Sequence, residues 1–498
     1  MTEMMKKILL ASLLMTVCLF SYAGKPVTRV DTSLKGSEKY VLRVDERPYY
    51  ILGVQVRFDK LIHRWNWDME ACDSLIKATA ELGFNTLAIP IHWVEVEPVK
   101  DRFDWTILDS YISLAHKYGL HAELLWFGHN SMGHVQWLTR TQLRTPDYVM
   151  YSPQQVMRSP SDVWSSPGTT SEFTIRRDIS DFTLDLDDKL MDREAYVIGK
   201  MMDHVAEWDK RNGGDHTVIG VQIENEIELF PFDRVAEYIS ALGKAVKKSD
   251  YPVWTRVNQT YWSFDSLFVA HQKLREEKGS YVDFVGLDYY RGNKRSEAEF
   301  FECLKTDIPV SSGNYRMMME LGAAVPNVAQ AQVAALSADV ATCLYDVCGP
   351  DGNGFMVADG EKRFKPRGLY VDDIGYVNQM LGSVLQDVAL KSGGKSLHVF
   401  NWKGDNLNPE ADANGITFQP GYINSQALSI IHSPSEIILV TSKGGTFSWD
   451  DSVQVKRILY GRMNDDNEFV MDREAHAPSF RGNTRVDVSS GEVICLTF

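Results

Sequence analysis

The chain has 498 residues, a formal net charge of −15, and 44% hydrophobic and 24% charged residues. That length suits one large domain and a smaller one, and the composition is that of an ordinary soluble globular protein. The acidic balance argues against nucleic acid as a partner and offers no basic stripe to a membrane surface.

Residues 1–23 read as a targeting segment. Lys6 and Lys7 precede an apolar run from Ile8 to Phe20, and Ser21-Tyr-Ala23 offers small residues for cleavage. The run is short for a membrane span, and Val17 is not the small residue that a lipoprotein signal wants before Cys18. Export to a bacterial periplasm or the outside is therefore expected. Downstream, Cys72, Cys303, Cys343, Cys348 and Cys495 are odd in number and scattered, which is no disulfide framework. Cys343 and Cys348 could pair, yet buried free thiols fit better. His129 and His134 lack metal-ligand spacing, so no metal and no cofactor is expected.

Residues 24–48 should hold an N-terminal strand and hairpin that feeds a first long strand, Ile51 to Val56. Strands and helices then alternate. Asn66 is placed to cap a helix bearing Met69, Cys72, Leu75, Ile76 and Leu82, with Gly83 past its end. Strand Thr86–Ile91 follows, then a helix from Trp105 to Tyr118 capped by Asp104, then strand His121–Trp126. Residues 128–188 form a long polar insertion whose Trp137, Tyr148, Tyr151 and Trp164 suggest an ordered rim of a cleft. Helix Met191–Trp208 leads to the apolar strand Val218–Ile223. Further strands are expected at Val253–Val257, Val282–Leu287, Tyr315–Met319 and Gly354–Val357, with helices near 232–247, 263–277, 294–305, 326–346 and 370–390. Leu397–Asn401 competes for the role of eighth strand. The pattern predicts a (β/α)₈ barrel over residues 49–391. Short strands and turns then predict an all-β accessory domain over 396–498.

The chemistry lies at two strand ends. Val218–Ile223 stops in Glu224-Asn225-Glu226, and Tyr315-Arg-Met-Met-Met ends in Glu320. A core cannot hold such groups unpaired, and barrel enzymes place their chemistry at the C-terminal ends of strands. Two carboxylates converging from two strands are what hydrolysis of a glycosidic bond requires, roughly 5–5.5 Å apart for retention. Glu226 and Glu320 are the expected pair, although Glu224 shares strand parity with Glu226 and alternation alone cannot separate them. A buried Glu224 paired with an Arg is the structural alternative. Arg57 could pair with Glu320 or with Glu224, and Glu95 and Glu97 read as surface or loop carboxylates. Trp93, Trp126 and Trp262 sit near strand ends, where each ring could stack on a sugar face or pack in the core. His92, His129 and Asn130 could contact sugar hydroxyls.

The tract His216-Thr-Val-Ile-Gly-Val-Gln-Ile-Glu-Asn-Glu226 resembles the strand-four signature of the β-galactosidases of glycoside hydrolase families 35 and 42. So do Asn85-Thr-Leu-Ala-Ile-Pro-Ile-His-Trp93-Val-Glu-Val-Glu97-Pro98, Arg102-Phe-Asp-Trp105 and Leu124-Leu-Trp126-Phe-Gly128 with Asn130-Ser-Met132 after it. The resemblance implies a retaining clan A barrel in which Glu226 is the acid/base, Asn225 binds the sugar 2-hydroxyl and Glu320 is the nucleophile. It also implies that Tyr290, with Tyr289 as its one-residue rival, steadies that nucleophile. The Met-Met-Met run departs from the family, which often has a small residue or Pro before the nucleophile.

The expected protein is an exported retaining glycoside hydrolase acting on an oligo- or polysaccharide, β-galactosidase-like, with no membrane span and with homo-oligomerisation left open. A β-glycosidase of another sugar specificity is the nearest alternative, and a non-catalytic carbohydrate-binding barrel is the alternative of another class.

Overall fold

The computed structural model describes residues 28–128, 175–178, 183–186, 188–227, 232–260, 264–289, 314–349, 352–358, 361–400, 411–476 and 482–498, with Pro146, Tyr148 and Ser479. The targeting segment, Cys303 and the helix expected near 294–305 lie outside these residues, as does most of the 128–188 insertion.

Eight strands close into a barrel: β1 Leu52–Gln55, β2 Thr86–His92, β3 His121–Phe127, β4 Val218–Ile223, β5 Trp254–Thr260, β6 Phe284–Tyr289, β7 Met317–Gly322 and β8 Ala341–Tyr345. Each pairs with its successor in parallel, and β8 returns to β1 through Thr342↔Leu52 and Leu344↔Val54. Every residue of β2, β4, β6, β7 and β8 is buried. A strand covered by helices outside and by filled lumen inside has no solvent face, so its sequence is a continuous apolar run. The covering helices include Met69–Glu81, Thr106–Lys117, Asp188–Arg211, Phe232–Lys247, Phe264–Glu277 and Tyr370–Gly382.

Three expectations need correction. The eighth strand is Ala341–Tyr345, not Gly354–Val357 or Leu397–Asn401. The helix expected across 326–346 is two elements. Helix Val328–Leu336 stops, Asp339 turns the chain with φ 58°, and β8 begins. The alanine-rich run hid that turn, because Ala reads as helix and the aspartate's tolerance of left-handed backbone does not show in periodicity. Met356–Ala358 pairs instead with Phe364–Pro366, and Leu397–Phe400 pairs with Ala427–Ser433 in the C-terminal sheet. Asn66 caps nothing at its N-terminal side. It ends an unforeseen helix, Phe58–Trp65, in the left-handed conformation, and Asp68 caps the next helix by accepting the Ala71 N–H at 2.9 Å.

Large lumen side chains need room from small ones opposite. A Cβ on Gly220 of β4 would lie 2.2 Å from Trp254 Nε1, and one on Gly286 of β6 would lie 2.0 Å from Met319 Cε. Gly286 therefore makes the space that Met319 fills just before Glu320.

The C-terminal strands form a six-stranded antiparallel sheet, from Leu397–Phe400 to Phe469–Ala475, and a three-stranded sheet facing it. Strand Glu436–Thr441 is apolar from Ile437 to Val440 because it serves two cores. Ile438 and Val440 belong to the core continuous with the barrel, while Ile437 and Leu439 join Phe400, Phe418, Phe447 and Trp449 between the sheets. The four described cysteines are buried, and Cys72, Cys343 and Cys495 are free thiols.

Where this sheet meets the barrel, His432 Nδ1 lies 2.9 and 3.1 Å from the two oxygens of buried Asp387 on helix Leu385–Leu390. Asn467 Nδ2 donates to the same carboxylate at 2.9 Å. The Asp387 hydrogen bond raises the imidazole above its usual range. A histidine raised in the folded state contributes stability that is complete below its unfolded pKa and is lost as pH rises through the folded one. The melting temperature of the wild type should therefore exceed that of His432→Gln by most near about pH 6, with the gap closing by about pH 9. Thermal melts across that range check this, and a gap independent of pH would remove the ion pair.

Candidate active site

At the end of β4 the backbone leaves the strand abruptly. Glu224 and Glu226 both have left-handed φ, 60° and 43°. A left-handed residue breaks the alternation that would otherwise send both carboxylates the same way. Glu224 is fully buried, accepts Tyr238 Oη–H at 2.8 Å and the Gly128 N–H at 3.3 Å, and shares that tyrosine hydroxyl with Glu194. Glu226 is half-buried and faces the other way.

Asn258 of β5 holds that turn. Its Oδ1 accepts the Glu226 N–H at 3.1 Å, while its Nδ2 donates to Asn225 Oδ1 at 2.9 Å and to Asp288 Oδ2 at 2.7 Å. Asn225 Oδ1 also accepts Gln222 Nε2 at 3.1 Å. Two donors on one oxygen fix which end of the Asn225 amide is the oxygen.

The order extends down the lumen along Trp254, Arg256 and Asn258, alternate residues of β5 that share its inner face. Arg256 grips Glu123 through Nε and Nη2, both at 2.9 Å, and donates from Nη1 to Gln222 Oε1. Trp254 Nε1 reaches the same carboxylate at 2.7 Å. Gln222 thus accepts from the arginine below and donates to Asn225 above.

Glu226, Asp288 and Glu320 converge here. Each offers a carboxylate oxygen, and these oxygens all lie within 4.8 Å of one another. Gln55 Nε2 donates to Glu320 Oε1 at 3.3 Å. Asp288 is 1% exposed, and its Oδ1 is buried with no donor among the described residues. Burial, then the charges of Glu320 and Glu226 and interaction with the Glu226 carboxyl, raise Asp288 well above the carboxylate range, against the opposing pull of Arg256. Carboxylates at this spacing are what either a cation or shared protons would use.

Of the three tryptophans expected near strand ends, the two that lie in the described residues pack in the core. Trp93 and Trp126 are both 0% exposed. Their ring N–H groups donate to Glu97 and Glu194 at 2.9 and 2.8 Å, so neither ring offers a face to a sugar. Glu97 follows helix Trp93–Val96 in a loop, as one of its two readings had it, but is fully buried rather than at the surface, taking Tyr148 Oη–H at 2.5 Å, the Asp101 N–H at 2.7 Å and Arg193. Arg57 pairs with Asp59 rather than Glu224, and His92 Nε2 lies 3.2 Å from the same aspartate. Tyr289 lies in β6 with its side chain fully buried. Tyr290, Asn130, Trp262 and His129 fall outside the described residues.

Asn258, Asp288 and Gln55 were not singled out from the sequence. The period-two polar residues of β5 were the available signal for Asn258. Asp288 stood in Val285-Gly-Leu-Asp-Tyr-Tyr290, passed over for the tyrosines beside it.

A family profile described as beta-galactosidase, glycoside hydrolase family 42, matches residues 64–159. No curated protein matches the chain significantly. Among solved structures, a family 30 subfamily 8 xylanase from Clostridium acetobutylicum is similar over 90% of this chain and 97% of its own, with 10% identity and a TM-score of 0.44. A GH5_18 protein from Bifidobacterium longum, crystallised with Manβ1-4GlcNAc, is similar over 66% and 78%, with 15% identity and a TM-score of 0.46. A family 39 glycoside hydrolase from Bacteroides cellulosilyticus covers 92% and 84%, with 12% identity and a TM-score of 0.42.

Asn258→Leu keeps the volume and removes every polar contact. It strands Asn225, Asp288 and the Glu226 N–H together, and should lower unfolding stability by about 2–3 kcal/mol. Urea denaturation checks this, and a wild-type midpoint would show that Asn258 does not hold the turn.

Proposed function

We propose that this protein is an exported, retaining glycoside hydrolase that removes β-linked sugars, with β-galactosides as its substrate class. The observation that carries the reading is the approach of Glu226 and Glu320, from opposite sides of the barrel mouth, to within 4.8 Å between carboxylate oxygens. An approach of oxygens that close is compatible with the roughly 5–5.5 Å between carboxyl groups for retention, where inversion wants roughly 6.5–9.5 Å to admit a water. The galactoside assignment is supported by the profile over residues 64–159 and by the strand-two and strand-four motifs. Lys6, Lys7 and the apolar run after them support export.

In this reading the Glu320 carboxylate attacks the anomeric carbon. The glycosidic C–O bond breaks with its electron pair on the leaving oxygen, which takes the proton of Glu226. Glu226 then removes a proton from water as that water attacks the same carbon, and the ester bond to Glu320 breaks to restore the carboxylate. Gln55 Nε2 orients the attacking oxygen of Glu320. The Asn225 NH₂ is set to bind the sugar 2-hydroxyl, a contact that strengthens as the oxocarbenium-like charge develops.

A panel of nitrophenyl β-glycosides on the mature protein tests the assignment. The galactoside should be turned over fastest, a different favoured sugar would move the substrate class, and silence on all of them would end the reading. Glu320→Ala should lose at least about 10⁴-fold in kcat, a loss expected for a covalent nucleophile. Azide should restore turnover and give a glycosyl azide of inverted configuration. Glu226→Ala should spare nitrophenyl substrates far more than unactivated disaccharides, and azide should there give the retained product. Equal losses on both substrate types would remove its acid role.

A further inference from the structure

Asp288 lies on β6 between the two glutamates, and the double displacement set out above gives it no step. It cannot be a bystander, since three carboxyl groups with oxygens inside 4.8 Å cannot all be ionised together. The surroundings decide which one keeps a proton. Glu226 faces it from the turn after β4, Glu320 from β7, Arg256 from β5 and the buried Cys343 thiol from β8. The only cation among these, Arg256, is committed to Glu123 through two hydrogen bonds. Asn258 donates to Asp288 Oδ2 at 2.7 Å, which makes that oxygen the acceptor and leaves Oδ1, buried without a donor, as the place for a hydrogen. Glu226 is half-buried and can meet solvent, whereas Asp288 is 1% exposed on a short side chain fixed to a strand.

We propose that Asp288 keeps its proton throughout the reaction and donates the O–H to whichever glutamate carries the negative charge, Glu320 before attack and Glu226 after it. It is thus a positioning residue for both, and the inference rests on the retaining reading. The bookkeeping of bonds is unchanged by it. When the bond from Glu320 to the anomeric carbon forms, the proton that leaves is that of Glu226, and the Asp288 O–H turns from one carboxylate to the other without breaking. In the second half the water proton goes to Glu226, the ester opens and the O–H turns back. A donor that stays neutral steadies the anion at each stage without adding a charge of its own.

Two variants and one spectrum test this. Asp288→Asn keeps a donor and an acceptor but cannot ionise. It should keep kcat/KM for a nitrophenyl β-glycoside within about threefold and leave the basic limb of the pH profile where it is, since a neutral group has replaced a neutral group. Asp288→Ala loses the donor and should lower kcat about 10²-fold with little change in KM. If Asp288 were ionised in the working enzyme, the Asn variant would delete a negative charge beside Glu226 and move the basic limb about one pH unit or more to the acid side, which would overturn the proposal. Equal losses in the Asn and Ala variants would also overturn it, as would wild-type activity abolished by a chelator and restored by Ca²⁺ or Mg²⁺. Infrared spectra give a readout free of turnover. Glu226→Gln at neutral pH should show the C=O stretch of a protonated carboxylic acid, and adding Asp288→Asn or Asp288→Ser should remove it. Absence of that band in Glu226→Gln would sink the proposal even in an active enzyme. Its presence in a protein that cleaves no glycoside would uphold the proton on Asp288 while the hydrolase reading fell.

Discussion

Arg256 puts a full guanidinium into the lumen of the barrel at 1% exposure. A charge there is tolerable only if it is paired and its hydrogens are placed, and the structure spends Glu123, Gln222 and Met319 on that task. Once Arg256 fixes Gln222 Oε1 as an acceptor, Gln222 Nε2 must donate upward, and Asn225 Oδ1 must receive it. Asn258 completes the sequence by donating to that same oxygen and to Asp288 while accepting the Glu226 N–H. The orientation of the groups at the mouth is thus set from the floor of the barrel. Because it is fixed before any ligand arrives, little reorganisation remains for the reaction to supply.

The turn that follows β4 shows what such support permits. Two non-glycine residues with left-handed φ within three positions cost on the order of 1–2 kcal/mol each. They persist because both ends are held, Glu224 by Tyr238 and the Gly128 N–H, Glu226 by Asn258. The strained backbone converts one tract into two opposite deliveries. One glutamate is driven behind the sheet to join Glu194, and the next is driven into the mouth. Strain of this kind collects where function over-determines geometry.

Much of the fold was legible because buried parallel strands write themselves as apolar runs. Val218–Ile223 was read to the residue, and the other runs were read to within a few positions. What failed had a common cause. Ala341–Tyr345 was absorbed into the preceding alanine-rich helix because the break was a single left-handed aspartate, invisible to periodicity. Glu224 and Glu226 could not be told apart because strand parity assumes extended backbone, and the backbone here is not extended. Trp93 and Trp126 were ambiguous by nature, since a ring at a strand end reads the same whether a sugar or another ring lies above it. Asp288 was overlooked because its significance comes from Glu226 and Glu320, which are 62 and 32 positions away on other elements (288 − 226 and 320 − 288).

The three carboxyls also explain how a site can move a charge without disturbing its frame. In the resting state of the proposed cycle the negative charge sits on Glu320, beside the Gln55 amide. In the glycosyl-enzyme it sits on Glu226, whose backbone N–H is held by Asn258. With Asp288 neutral, the cluster holds one negative charge at both stages, and only its location changes, across a gap of less than 5 Å. The surrounding amides then face the same net charge from start to finish, so their orientation, inherited from Arg256, need not alter. An ionised Asp288 would double that charge in a dry pocket and raise the proton affinity of both glutamates. The acid would then hold its proton too tightly to give up, and the nucleophile would tend to be protonated. A neutral third carboxyl keeps one glutamate able to attack while the other is able to donate.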